Sequence, residues 1–345
     1  MEKESRTSSL PTVSDSHKSN AWLRPALQIG FLVYSMLIGW QFHRFVQWLG
    51  NPETPQAYRP ASVEAWLPIS SLLSFTQLLR TGQPPLVRPA GLVIFSLILF
   101  LTILAGRGFC SWVCPIGTLN EWGHKVGRRI FGRNLVLPRW IDIPLRGIKY
   151  FILGFFLYAI LGMSLEALRI WIEGSYNRIA DVKMYLFFAE MSQTKMIVLA
   201  IIIVMSLMIK NFWCRYLCPY GAFLAIFSWF SPIAVRRNQD QCNRCGLCDK
   251  ACPNRVRVSR KRRVASLECT MCYGCVQACP KPGALAVTAP KHSQRLITLP
   301  IYAAILLGAF IMVTQLARSI GYWESSTPVG MYVSMYSRIH QIPHP

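Results

Sequence analysis

The sequence predicts an α-helical integral membrane bundle of about five spans, built on a parallel internal repeat and carrying a small inserted α+β domain rich in cysteine. Three observations predict it: long apolar runs free of charge, a short cysteine signature that occurs twice at equivalent places, and a block of eight cysteines between the last two runs. Composition agrees. A chain of 345 residues with 52% hydrophobic side chains, 15% charged ones and a mean hydropathy of +0.32 is more apolar than soluble domains of that length.

Residues 1–24 are polar and rich in Ser and Thr, without the apolar stretch and small-residue cleavage site of a secretory signal, and read as a disordered cytoplasmic tail. Runs at 25–42, 89–106, 150–165, 196–209 and 296–317 lack Asp, Glu, Lys and Arg and approach the ~20 residues a helix needs to cross a bilayer. The fourth is the shortest, but Lys195 and Lys210 at its ends can lift their ammonium groups to the headgroups. Segment 61–79, with Glu64 and Pro68, reads as an interfacial or re-entrant helix on the outer face. Segment 216–235, interrupted by Pro219 and Pro232, reads as a helix at the inner interface or packed under the bundle. The expected division is a membrane domain over 25–235, a cysteine-rich domain over 236–290, and a fifth span with an outer-face tail over 291–345.

Charge orients the bundle. Of the 37 Lys and Arg residues, 27 fall in the tail, in 107–149 and in 210–295, against 10 elsewhere, which puts the N-terminus and the cysteine-rich domain in the cytoplasm and the C-terminus in the periplasm of a bacterial inner membrane. The formal charge of +22 is then chiefly a topology signal, and no nucleic-acid partner is expected. The basic run at 254–264 reads as a solvated connection near the inner leaflet.

The eight cysteines carry the strongest chemical signal. Cys242, Cys245, Cys248 and Cys252 before Pro253 spell C-x2-C-x2-C-x3-C-P, and Cys269, Cys272, Cys275 and Cys279 before Pro280 repeat it. Three close thiolates in one loop hold three irons of a cubane, and the fourth iron takes the distant cysteine of the other motif. One [4Fe-4S] cluster is thus expected on Cys242, Cys245, Cys248 and Cys279, and a second on Cys269, Cys272, Cys275 and Cys252. Four-thiolate zinc sites use the same residue type, but a duplicated run with Pro after each last Cys fits two cubanes far better. Gly246 and Gly274 suit the tight backbone of such loops.

The other four cysteines form the repeat. GRGFCSWVCPIG at 106–117 aligns with KNFWCRYLCPYG at 210–221, pairing Cys110 with Cys214, Cys114 with Cys218, Pro115 with Pro219 and Gly117 with Gly221. Each copy follows a span entering from the same side, so the halves are expected to be parallel repeats, with the two thiols of each motif at i and i+4 on one helical face. Four converging thiols could make a further iron, iron-sulfur or copper site or a redox-active dithiol, or simply pack the repeat interface. His43, Glu64 and Trp66 are a weaker candidate for a quinol pocket, with interfacial anchoring the alternative. Haem-ligating His pairs and a Walker-type phosphate loop are missing from the sequence.

Over residues 25–285, the order of span, C-x3-C-P, span, C-x3-C-P and double C-x2-C-x2-C-x3-C module resembles the membrane polyferredoxins of the NapH, NosR and CcoG type. The resemblance implies a ferredoxin-type domain and electron transport as a quinol dehydrogenase membrane component. It would pass electrons between the membrane quinone/quinol pool and another redox protein, with the eight ferredoxin cysteines as cluster ligands. The CcoG resemblance implies an alternative: a metal-handling or assembly factor whose clusters reduce Cu(II) while Cys110, Cys114, Cys214 and Cys218 bind Cu(I). The fifth span departs from NapH, and neither the outer flavin domain of NosR nor the folded C-terminal domain of CcoG is present in the sequence.

Overall fold

The computed structural model describes residues 20–289 and 296–343. Most of the tail expected at 1–24 and the boundary expected at 290/291 lie outside the described residues. The chain is mostly helical. Two helices are long and apolar enough to cross a membrane, Arg139–Leu161 and Leu299–Ser319, and the count becomes three if Ala180–Ala189 and Gln193–Met208, bent by 86°, make one broken span. These regions define a membrane protein.

In chain order, α1 (Leu23–Gly50) covers the first predicted run, a 3-10 turn (Ala61–Trp66) and α2 (Pro68–Thr81) follow, and α3 (Pro89–Ala105) covers the second run. Pro68 and Pro89 sit at helix starts, where a missing N–H costs nothing. A one-turn helix, α4 (Phe109–Trp112), leads into α5 (Pro115–Phe131) and then α6 (Arg139–Leu161). Past three short helices, α7 (Leu165–Glu173), α8 (Ser175–Arg178) and α9 (Ala180–Ala189), comes α10 (Gln193–Met208), which covers the fourth run. Segment 216–235 is not one helix: a π-turn (Trp213–Leu217), α11 (Pro219–Ser228) and a strand β1 (Ala234–Arg237) divide it. Its prolines decide this, and α11 packs against α3 and α6, where Ala222, Phe223 and Leu224 share a core with Ile94, Ile98 and Leu153.

The cysteine-rich part pairs β1 antiparallel with β2 (Leu285–Thr288), from Ala234↔Thr288 to Arg237↔Leu285. Between them lie α12 (Leu247–Ala251) and α13 (Gly274–Gln277), the small α+β unit predicted. The chain then enters α14 (Leu299–Ser319) and ends in α15 (Val329–Tyr336). One hydrophobic core is continuous from Leu97 and Leu101 of α3 through Trp112, Val235, Tyr273 and Val287 to Tyr302 and Leu306 of α14. The ferredoxin-like unit therefore shares a dry interface with the bundle and does not hang from it by a tether.

Polar groups fix that interface. Asp142 on α6 accepts hydrogen bonds from Arg215 Nε (3.0 Å) and Nη2 (2.9 Å), from Tyr216 Oη (2.5 Å) and from Arg146. Arg215 Nη1 reaches the carbonyl of Asn254 just past Cys252, at 2.5 Å. Lys149, fully buried on α6, pairs with Glu268 at 2.7 Å, next to Cys269. At the opposite end of the bundle, Arg59 bridges Glu64 (2.9 Å) and Asp181 (2.6 Å), and Arg88 also reaches Asp181.

Candidate iron-sulfur site

The two C-x3-C-P loops have the same local design. Each is entered through a residue with positive φ, Gly106 (+76°) or Asn211 (+52°), makes one helical turn, and uses its second cysteine as the N-cap of a helix whose first residue is Pro. Cys114 and Cys218 have extended ψ values of 118° and 104°, because a residue before Pro is forced out of the α region. The i and i+4 expectation is corrected here: the two thiols of a motif straddle a break between helices. Gly117 is required by close approach, since a Cβ there would lie 2.0 Å from the Cys110 carbonyl oxygen.

These loops bring Cys110, Cys114, Cys214 and Cys218 to one cavity of about 410 Å³, whose walls include Phe31, Ile94, Ile98, Phe109, Trp66 and Phe310. Burial pushes the Cys110 thiol up to about 11 and Cys214 to about 12, and Cys114 also feels Cys110 and Cys214. Such thiols are neutral at pH 7, which is unlike an activated dithiol; a bound cation would be needed to hold them as thiolates.

The ferredoxin loops also match one another. Arg244 and Gly246 in the first and Met271 and Tyr273 in the second have positive φ, so each loop turns at the same two steps. The glycine expectation holds for Gly246 (φ +72°), but in the second loop Tyr273 (φ +59°) takes the left-handed position and Gly274 opens α13. Tyr273 is held there by burial, by rings of Trp112 and Tyr302 with centroids 6.0 and 5.3 Å away, and by its hydroxyl donating to the Ile297 carbonyl at 3.0 Å.

Cysteines distant in sequence act on one another electrostatically across these loops. Burial raises Cys252 to about 12, with Cys272 and Cys269 adding to the rise. Burial also raises Cys279, with Cys242 and Cys245 adding to the rise. The Val256 N–H donates to Cys252 Sγ at 3.3 Å, a contact that stabilises a thiolate. All twelve cysteines are free thiols. Soft donors in wrapped loops with N–H groups aimed at sulfur fit iron-sulfur clusters. Among the described residues no three His, Cys, Asp or Glu gather tightly enough for one metal ion.

Sequence reasoning passed over Arg107, Trp112 and Glu268. Arg107 was legible as the one cation inside the first motif, facing Asn211 in the second. Burial alone would raise the Glu268 carboxyl, yet Lys149 and Arg107 hold it below its usual range. The structure does not assemble His43, Glu64 and Trp66. His43 Nδ1 meets Tyr185 Oη at 2.5 Å and Glu64 is locked by Arg59 and the Gly91 N–H; only Trp66 lines the cavity.

Fold, thiol loops and cysteine pattern together define a membrane iron-sulfur protein of electron transport. Comparison with known proteins supplies the family. A 4Fe-4S binding domain profile matches residues 87–134 and 194–238, over both C-x3-C-P loops, and a 4Fe-4S dicluster domain profile matches 234–280. The chain is 36% identical to Escherichia coli YccM, provisionally described as an electron transport protein, over 96% of this chain and 94% of that one. It is 26% identical to the Escherichia coli ferredoxin-type protein NapH over 76% of this chain and 88% of that protein. With the Pseudomonas aeruginosa regulatory protein NosR it shares 28% identity over 61% of this chain and 29% of that one. No solved structure matches. The chain belongs to the NapH/NosR-type polyferredoxins and carries iron-sulfur clusters.

Proposed function

We propose that this protein takes electrons from membrane quinol and passes them, through two [4Fe-4S] clusters, to another redox protein. The observation that carries this reading is the apolar cavity of about 410 Å³ with the four C-x3-C-P thiols in its wall, a size and character suited to a quinol ring and the start of its tail. A cluster supplies reversible one-electron chemistry at a potential set by its surroundings. The chain's own residues hold it: Cys242, Cys245, Cys248 and Cys279 for one, Cys252, Cys269, Cys272 and Cys275 for the other. Phe31, Phe109 and Phe310 line the cavity with apolar rings that exclude water.

The same reading takes 25–235 as the membrane domain, 236–290 as the ferredoxin domain and 291–345 as a further span and tail. It has five spans in parallel repeats, with the ferredoxin domain cytoplasmic and the C-terminus periplasmic. Matching loop geometry at the two repeats and the asymmetric distribution of Lys and Arg support it.

Two measurements test the reading. Anaerobic purification and reconstitution should give about eight iron atoms and eight sulfides per chain for two cubanes; a clear shortfall overturns the two-cluster assignment. Replacing Cys110, Cys114, Cys214 and Cys218 together by Ser should abolish cluster reduction by a quinol analogue while both ferredoxin clusters stay reducible by dithionite. Unchanged quinol-driven reduction, with stoichiometric Cu(I) binding lost instead, would transfer these thiols to the copper-handling role.

A further inference from the structure

The two ferredoxin clusters are not equivalent in their relation to the membrane thiols. Among the described residues, every polar contact from the C-x3-C-P loops to a ferredoxin cysteine segment goes to one of the two crossed sets. In the first loop, Ser111 Oγ donates to the Thr270 carbonyl at 2.6 Å and Trp112 Nε1 to the Met271 carbonyl at 3.0 Å, inside the Cys269–Cys272 turn. In the second loop, Arg215, which aligns with Ser111, donates to the Asn254 carbonyl two residues past Cys252, and Asn211 Nδ2 donates to Asn254 Oδ1 at 2.9 Å. Asn254 Nδ2 then closes back on the Glu268 carbonyl at 2.9 Å, joining the two segments.

Arg107 stands between the two groups of sulfur. It lines both the thiol cavity and a small cavity beside Cys269, is 3% exposed, and donates Nη1 to the Gly221 carbonyl at 2.9 Å. Its Nε has no partner among the described residues, so a buried charged donor remains to be met by something in those cavities. In the other set, Cys245 is the one cysteine exposed to solvent among the described residues.

We infer that the set Cys252, Cys269, Cys272 and Cys275 is the electron entry, coupled to the C-x3-C-P thiols through Arg107, and that the set Cys242, Cys245, Cys248 and Cys279 is the exit that faces the partner. This rests on the crossed ligand sets proposed above. A quinol in the cavity is oxidised to quinone. Its two electrons pass one at a time into the entry set and on to the exit set and the partner redox protein, its two protons leave to water through the cavity mouth, and no covalent bond to the chain forms. Arg107 is a positioning residue: its buried positive charge favours the reduced form of the entry cluster over the exit cluster.

Two experiments on the full chain in detergent decide the order. With menadiol as donor and EPR as readout, Cys245→Ser should leave its remaining cluster reduced at the wild-type rate. Cys272→Ser should leave its remaining cluster still oxidised after menadiol treatment, because electrons no longer reach it, yet reducible by dithionite. Reduction of the remaining cluster by menadiol in Cys272→Ser, as fast as in the wild type, overturns the inference. A reductive titration needs no quinol: Arg107→Gln should move the entry cluster alone to more negative potential, with Arg107→Lys near wild type. Equal shifts in both clusters, or a shift in the exit cluster alone, overturn it. Iron counting separates this from the parent reading, because each Cys→Ser variant should retain about four irons; loss of both clusters together counts against the parent reading of two separate clusters, whatever their order.

Discussion

Asp142→Ala should destabilise the protein by about 3–5 kcal/mol, the cost of leaving a buried cation without its partner. Arg215 is 1% exposed and spends two of its nitrogens on this carboxylate, and Tyr216 loses its acceptor at the same time. Neither can recover water, so the Arg215 charge must be desolvated alone or the loop must open and release Asn254. The measurement is the denaturant midpoint in detergent, followed by cluster absorbance. Arg146→Ala is the control: that side chain is 27% exposed and pairs at i,i+4, so its loss should cost about 0.5 kcal/mol. An Asp142→Ala protein within about 1 kcal/mol of the wild type would mean the network does not anchor the ferredoxin unit.

Gly117→Ala should be the most damaging single methyl in the thiol loops, and Gly221→Ala should be mild, although the two glycines align. A Cβ at Gly117 meets backbone, the Cys110 carbonyl oxygen at 2.0 Å, and no rotamer relieves a backbone clash. At Gly221 the nearest atoms are Cys218 Sγ at 3.5 Å and the Cys214 carbonyl oxygen at 3.8 Å, ordinary contact distances. The first substitution should cost at or above the ~1–3 kcal/mol of overpacking and should spread Cys110 from Cys114. Quinol-analogue reduction should then fall sharply while dithionite still reduces both ferredoxin clusters. Equal activity in the two variants would show that the first loop does not depend on the close approach of Gly117 to Cys110.

Much of the local structure was legible because its causes are local. Prolines 115 and 219 start helices and push the cysteines before them into extended backbone, a constraint between neighbours that the expected i and i+4 placement of the thiols overlooked. The eight-cysteine pattern names its cofactor for the same reason, since the spacing within one loop sets which irons it can hold. At two other positions a distant group overrode the expectation. Tyr273 takes the left-handed turn that Gly274 was expected to ease, because Trp112 and Tyr302, from other parts of the chain, hold its ring. Glu64, a candidate proton acceptor by position, is consumed by Arg59 and by the Gly91 N–H of α3.

The sequence by itself determined the four cysteine motifs, two C-x3-C-P and two C-x2-C-x2-C-x3-C, and the family. Each is written in spacings of a few residues. Only the tertiary structure decided that Ser111 and Trp112 bind a turn 159 residues away, that Arg107 lines cavities shared with Cys110 and with Cys269, and that Cys245 is exposed while Cys248 is buried. The physical reason is that motif spacing fixes which atoms a loop can offer, whereas burial and packing fix which loop it offers them to.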